Sequence, residues 1–332
     1  MIIALLAAAA TSAAVCALFV LTPAGHALLD RPNNRSLHRH PVPRVGGVAI
    51  FAGIAAGVIA TAATGRDARP IGLLAAAAVP LIGIGVLDDR YTLRASVRLF
   101  VQAATTVVCL FSTDWLLREL KWGAVTWSLG LLAWPATTIA VLWVSNLYNF
   151  MDGMDGLAGT MTAVGFGTLS VFAGMRGHHD IMLAAGLPAA AAAGFLVFNK
   201  PPARLFMGDS GSVPLGFLAA AIALWGCRSG AWPVTVPVIV FAPFVVDATA
   251  TLAARLLRRE RVWEPHRDHV YQRMVLNGRS HAAVLAMEIG YMAASSLSAA
   301  VALAYPGWGS VAALAGVIGI YAALSVAAAP RG

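Results

Sequence analysis

Charge is what this chain has least of. Asp, Glu, Lys and Arg make up only 11% of its 332 residues, where soluble domains carry about 25%. That scarcity excludes an ordinary water-soluble domain, because too few polar side chains remain to cover its surface. With 59% hydrophobic residues and a mean hydropathy of +0.76, the chain has the bilayer as its solvent. Cysteine is also rare: Cys16, Cys109 and Cys227 stand at unrelated spacings, which excludes a disulfide framework and a cysteine metal site and leaves small buried hydrophobes. The N-terminus lacks the positive n-region and polar cleavage zone of a secretory signal, so it reads as a first membrane helix.

Long apolar runs are abundant instead. A helix needs roughly 17 to 25 apolar residues to cross the hydrocarbon core. Runs of that kind lie at 2–22, 46–63, 70–87, 97–112, 128–146, 156–175, 181–198, 212–227, 233–255, 281–304 and 308–328. Two are short and 113–127 is ambiguous, so the expected fold is an all-α polytopic integral membrane protein of 10–11 transmembrane helices, one domain over 1–332. The net charge of +8 could suggest nucleic acid, but its distribution follows topology: seventeen of the 23 Lys and Arg fall in the odd-numbered loops and the C-terminal tail. The positive-inside rule makes that face cytoplasmic and places the N-terminus outside.

The odd loops also hold most of the Asp and His. They read "RPNNRSLHRHPVPRVGG", "GVLDDRYTLRASVR", "NLYNFMDGMDGLAG", "NKPPARLFMGDSGSVPLG" and "RLLRRERVWEPHRDHVYQRM". Asp88 and Asp89 end the third run; on a helix, neighbours diverge by about 100 degrees, so the two carboxylates are expected to divide two roles. Asp152 and Asp155 are spaced i, i+3, which predicts one helical face. Asp209 sits between Gly208 and Gly211 just before the eighth run, where a helix N-terminus would offer free N–H groups to phosphate. Carboxylates brought together repel unless a cation joins them, and Mg²⁺ suits one or two carboxylates plus phosphate oxygens. Arginine and histidine in the first and last of these loops would grip the anion. Each motif alone also fits a solvated helix end, a capped turn or a headgroup contact. Asp247 and Glu288 lie inside runs; Arg255, two turns beyond Asp247, is its expected partner, and Glu288 has none.

Taken in order, "GVLDDRYTL", "NLYNFMDGMDGLAG", "NKPPARLFMGDSGSVPLGF" and "HRDHVYQR" resemble the polyprenyl-phosphate N-acetylhexosamine-1-phosphate transferases, glycosyltransferase family 4. The resemblance implies a bacterial inner-membrane enzyme, its active site built from cytoplasmic loops, that moves a sugar 1-phosphate from a UDP-N-acetyl sugar to undecaprenyl phosphate and releases UMP. It implies Mg²⁺, with Mn²⁺ as the alternative, held by Asp209 with Asp88 and Asp89. Asp152, Asp155, His266 and His269 would join Asp88 and Asp89 in catalysis, while Asn149, Arg44, Arg204, Arg267 and Phe206 would bind substrate, Phe206 by stacking on uracil. The late loop lacks the family's H-x-H-H cluster; its "HRxHxYQ" form looks like the branch that initiates O-antigen, part of lipopolysaccharide. The implied partners are the UDP-sugar, the lipid phosphate and membrane lipid, with a homodimer through apolar helices compatible and nucleic acid not expected. Direct displacement is the expected route, with a covalent aspartyl intermediate as the alternative. A transporter or a CDP-alcohol phosphatidyltransferase would be the competing classes; one-sided polar loops disfavour the first, and the absence of D-G-x-x-A-R from "DGMDGLAGT" the second.

Overall fold

The computed structural model describes residues 1–23, 25, 29–30, 41–122, 125–261 and 266–329. In chain order the elements are α1 (Ile2–Leu21), β1 (Leu29–Asp30), β2 (Val42–Pro43), α2 (Gly46–Ala63), α3 (Arg69–Tyr91) and α4 (Ala95–Thr113). A short antiparallel hairpin of β3 (Glu119–Trp122) and β4 (Val125–Ser128) fills the ambiguous stretch. There follow α5 (Ala133–Phe150), α6 (Leu157–Met161), a π turn at Thr162–Phe166, α7 (Gly167–Met175), α8 (His179–Asn199) and α9 (Asp209–Arg228). The chain ends with α10 (Thr235–Val240), α11 (Ala242–Leu257), α12 (Val270–Leu276), α13 (His281–Ala304) and α14 (Trp308–Ala327).

Among the described residues, ten helical stretches are long and apolar enough to cross a membrane. The protein is an all-α, multi-pass membrane protein. The expected ninth run, 233–255, is divided between α10 and α11. Pro243 has no N–H to donate to Ile239, so the ladder breaks, and Phe241 accepts a 3.0 Å bond from Phe244 N–H as the new helix begins. The outer faces are apolar: Phe100, Phe111, Ile139 and Leu297 are exposed, as a lipid solvent requires.

Helix α9 runs through the middle, with 83% of its membrane stretch buried, and packs against α3 and α5. Gly85 makes the α3 crossing close: a Cβ there would lie 2.5 Å from the Ser210 backbone. This contact brings the end of α3 onto the start of α9. Because successive spans run in opposite directions, the C-terminal ends of α3, α5, α8 and α11 meet the N-terminal ends of α9 and α13 at one end of the bundle.

Candidate active site

The two carboxylates closing α3 do part company. Thr92 takes a left-handed conformation (φ 50) that turns the chain back, and Leu93 N–H donates to Asp88 Oδ1 at 2.6 Å. Asp88 Oδ2 receives Arg98 Nη1 at 2.6 Å, and the same nitrogen reaches Asp209 Oδ2 at 3.4 Å. Asp88 and the Asn149 side chain both lie close enough to Asp209 to act on its carboxylate. Asp88, Asp209, Asn149 and Arg98 thus form one cluster.

Asp89 instead faces the start of α9. Its Oδ1 accepts Asp209 N–H at 3.1 Å and its Oδ2 accepts Ser210 N–H at 3.2 Å, with the side chain only 1% exposed. Gly208 precedes α9 at φ 73, and a Cβ on it would sit 2.7 Å from Asp89 Oδ2. The expectation of open N–H groups for phosphate at this helix start is therefore corrected: Asp89 fills the place from across the α3 crossing. A carboxylate is favourable there for the same reason phosphate would be.

Asp152 and Asp155 do not share a helical face. The helix stops at Phe150 and resumes at Leu157, and Gly156, at φ 76, lies in the left-handed region between. The Gly208 backbone and Arg44 lie close to Asp152; burial, then the neighbouring Asp209 charge, push its carboxyl well above the usual carboxylate range. Asp155 Oδ2 turns away to Ala203 N–H at 3.1 Å and His281 Nδ1 at 3.2 Å, tying the loop before α9 to the start of α13. Asn199 completes that tie, accepting Gly156 N–H at 3.0 Å and donating to Leu205 C=O at 2.8 Å.

The first loop reaches the cluster through main-chain pairing. Phe206 N–H donates to Pro43 C=O at 2.8 Å, Gly46 N–H to Phe206 C=O at 2.9 Å and Gly47 N–H to Met207 C=O at 2.8 Å. The pairing sets Arg44 beside Phe206, with Arg44 Nη1 3.9 Å from Asp89 Oδ1. The "RSLH" segment of that loop lies outside the described residues. Arg204 is exposed and lies over the Phe198 ring at 5.0 Å, so the structure does not bring it into the cluster.

The late loop is anchored by Asp247, which does not pair with Arg255 as the sequence suggested. Both Asp247 oxygens accept Val270 N–H, at 3.2 and 3.1 Å, Thr251 Oγ1 donates at 3.0 Å, and His269 Nδ1 lies at 3.5 Å. Arg255 bonds Asp268 and, at 3.0 Å, Glu260. His269 is buried between the rings of His266 (4.9 Å) and Tyr271 (6.0 Å). Burial, reinforced by His269 and Arg255, lowers His266 to a pKa of about 4, so it is neutral at pH 7. Tyr271 Oη donates to Phe150 C=O at 3.2 Å, which seats α12 against the segment carrying Asp152. Arg267 stands partly exposed between the two histidines.

Sequence reasoning missed Arg98, Asn199 and His281. Arg98 was legible as the third basic residue of "RYTLRASVR"; Asn199 ties the Gly156 and Leu205 backbones together and His281 pairs with Asp155, and neither carries a local signal. Among the described residues no three His, Cys, Asp or Glu side chains form an all-protein metal cage. Asp88 Oδ2 and Asp209 Oδ2, which share Arg98 Nη1, could together hold a hard divalent ion that takes its remaining ligands from phosphate and water.

A sequence model of Glycosyl transferase family 4 matches residues 70–227. The chain is 30% identical over 263 residues to a probable undecaprenyl-phosphate N-acetylglucosaminyl 1-phosphate transferase of Bacillus subtilis, covering 76% of this chain and 71% of the relative. It is 30% identical over 260 residues to the undecaprenyl-phosphate alpha-N-acetylglucosaminyl 1-phosphate transferase of Yersinia pestis (76% and 70% covered), and 28% to that of Escherichia coli K12 over the same coverage. The chain belongs to glycosyl transferase family 4, among the polyprenyl-phosphate N-acetylhexosamine-1-phosphate transferases.

Proposed function

We propose that this protein transfers N-acetylglucosamine 1-phosphate, or a close N-acetylamino-sugar 1-phosphate, from its UDP-sugar to undecaprenyl phosphate at the cytoplasmic face of a bacterial inner membrane. The observation that carries this reading is the convergence of Asp88, Asp209, Asn149 and Asp152 with Arg44 and Arg98 at one end of the bundle. The names of the relatives support the donor and acceptor, and the positive charge of the odd loops supports the face. The "HRxHxYQ" form supports a role in starting lipid-linked O-antigen or a related envelope glycan.

In the proposed reaction an oxygen of the lipid phosphate attacks the β-phosphorus of the UDP-sugar. One P–O bond forms there, and the bond from that phosphorus to the bridging oxygen breaks; UMP leaves with that oxygen and its electron pair. The second pKa of a phosphate ester is about 6, so the nucleophile is largely dianionic at pH 7 and needs little base assistance. Positioning and charge neutralisation therefore do most of the work. Asp88 and Asp209 would hold Mg²⁺, or Mn²⁺ in its place, whose charge offsets that of the diphosphate. Arg98 holds those two carboxylates together, and Asn149 beside Asp209 would help to orient it. Arg44, Arg267 and neutral His266 would donate to diphosphate or UMP oxygens, and Phe206 would offer its ring to uracil. Asp89, Asp155, Asp247 and His269 position these groups.

The test is UMP release by the purified chain in detergent with undecaprenyl phosphate, Mg²⁺ and a panel of UDP-N-acetyl sugars, beside Asp209→Asn and EDTA controls. Release that needs lipid and metal and is lost in the variant is expected. Nucleotide uptake into vesicles without UMP release would point to a transporter instead.

A further inference from the structure

The end of the bundle opposite the acidic cluster holds a cavity of about 570 Å³. It lies where the ends of α4, α7, α9 and α13 meet the starts of α10 and α14. Its walls are mixed: Leu117, Leu224 and Leu303 line it together with Arg118, Arg176 and Arg228. Only six Lys and Arg of the whole chain fall outside the site-bearing loops and the C-terminal tail, and three of these six converge here.

The three are not equivalent. Asp114 caps α4 in the left-handed region (φ 55); one of its oxygens accepts from Arg118, the other from Arg228 at 3.1 Å. One carboxylate thus holds two guanidiniums side by side, each keeping most of its donors unused. Arg176 makes no ion pair among the described residues, although Glu119 stands on the same wall. Three cations face two carboxylates, in a cavity whose size falls within the ~300–1,000 Å³ of small-molecule sites.

We infer that this cavity binds a phosphate-bearing anion, the head group of an anionic phospholipid, on the face of the membrane opposite the acidic cluster. Guanidinium suits phosphate oxygens by its fork of donors, and the leucine walls suit the first carbons of acyl chains. A free phosphate ion shares the first chemistry and lacks the second. This site is separate from the proposed transferase centre, so it stands or falls independently of that reading.

The experiment is native mass spectrometry of the full chain in detergent, titrated with dioleoyl phosphatidylglycerol or dioleoyl phosphatidylcholine. The comparison is between wild type, Arg176→Gln, the Arg176→Gln/Arg228→Gln double variant, and Arg66→Gln as a same-end control outside the cavity. Wild type and the control should retain one phosphatidylglycerol in preference to phosphatidylcholine. The double variant should retain it about thirtyfold less well, at about 1 kcal/mol for each of the two arginines lost. Inorganic phosphate, measured alone by calorimetry, separates the sources: arginine-dependent phosphate binding without lipid preference would overturn the lipid assignment. Equal phosphatidylglycerol retention by wild type and both variants would overturn the site. Arg176→Gln disturbs no ion pair among the described residues and keeps the test decisive should the double variant fold poorly.

Discussion

Replacing Asp88 and Asp89 one at a time by Asn should separate two jobs that adjacent residues perform. Asp89 receives two backbone N–H groups at 3.1 and 3.2 Å, at a helix start, with its side chain 1% exposed. Asn offers one acceptor oxygen and no charge, so one bond is lost and the other weakened. Bonds to charged groups contribute about 1.5–3 kcal/mol and neutral ones about 0.5–1.5, which sums to a loss of about 2.5–4.5 kcal/mol for Asp89→Asn. At position 88 Asn can still accept from Leu93 N–H, Arg98 keeps Asp209, and a crowded pair of carboxylates is relieved. Its stability should stay within about 1 kcal/mol of wild type. Its activity should not: losing a group that handles charge at the reacting phosphates lowers kcat by about 100-fold or more. Thermal unfolding in detergent, followed by circular dichroism, and UMP release together read both effects. If Asp88→Asn melts at a lower temperature than Asp89→Asn, the division of labour drawn from the geometry is wrong.

Three further outcomes follow from the same contacts. A Cβ at Gly153 would lie 2.2 Å from Tyr271 Oη, so Gly153→Ala should cut activity and stability, and adding Tyr271→Phe should restore part of both; strictly additive effects would contradict the contact. His266 has a folded pKa of about 4 against about 6.5 unfolded, so the unfolded chain binds more protons between those values. Its contribution to stability is present above pH 6.5 and lost as pH falls toward 4, and His266→Gln should flatten that stretch of the melting-temperature profile. Asp247→Asn should loosen the late loop, seen as faster hydrogen exchange at residues 266–276 with little change in the bundle core, and should lower kcat more than it raises KM; unchanged exchange would mean that Asp247 does not anchor the loop.

Much of the fold was legible because its signal is local. Apolar runs set the helices, and the 100-degree turn between neighbours already parts Asp88 from Asp89. The order of the acidic motifs was enough to expect the family. What stayed hidden depends on partners distant in sequence. The i, i+3 spacing of Asp152 and Asp155 predicted a shared face only if a helix passed through both, and two glycines with Tyr271 packed against one of them end it. Asp247 and Arg255 seemed natural partners two turns apart, yet each found a better one in the late loop, which the sequence does not place. The start of α9 looked open to phosphate because nothing local shows that a carboxylate from 120 positions earlier occupies it.

The central claim, that a sugar phosphate and not a sugar alone is transferred, is tested most directly by the mass of the lipid product. Incubating the purified chain with undecaprenyl phosphate, UDP-N-acetylglucosamine and Mg²⁺ should give undecaprenyl diphosphate N-acetylglucosamine with UMP in equal amount. A lipid monophosphate sugar accompanied by UDP would contradict attack at the β-phosphorus and, with it, the role given to Asp88 and Asp209.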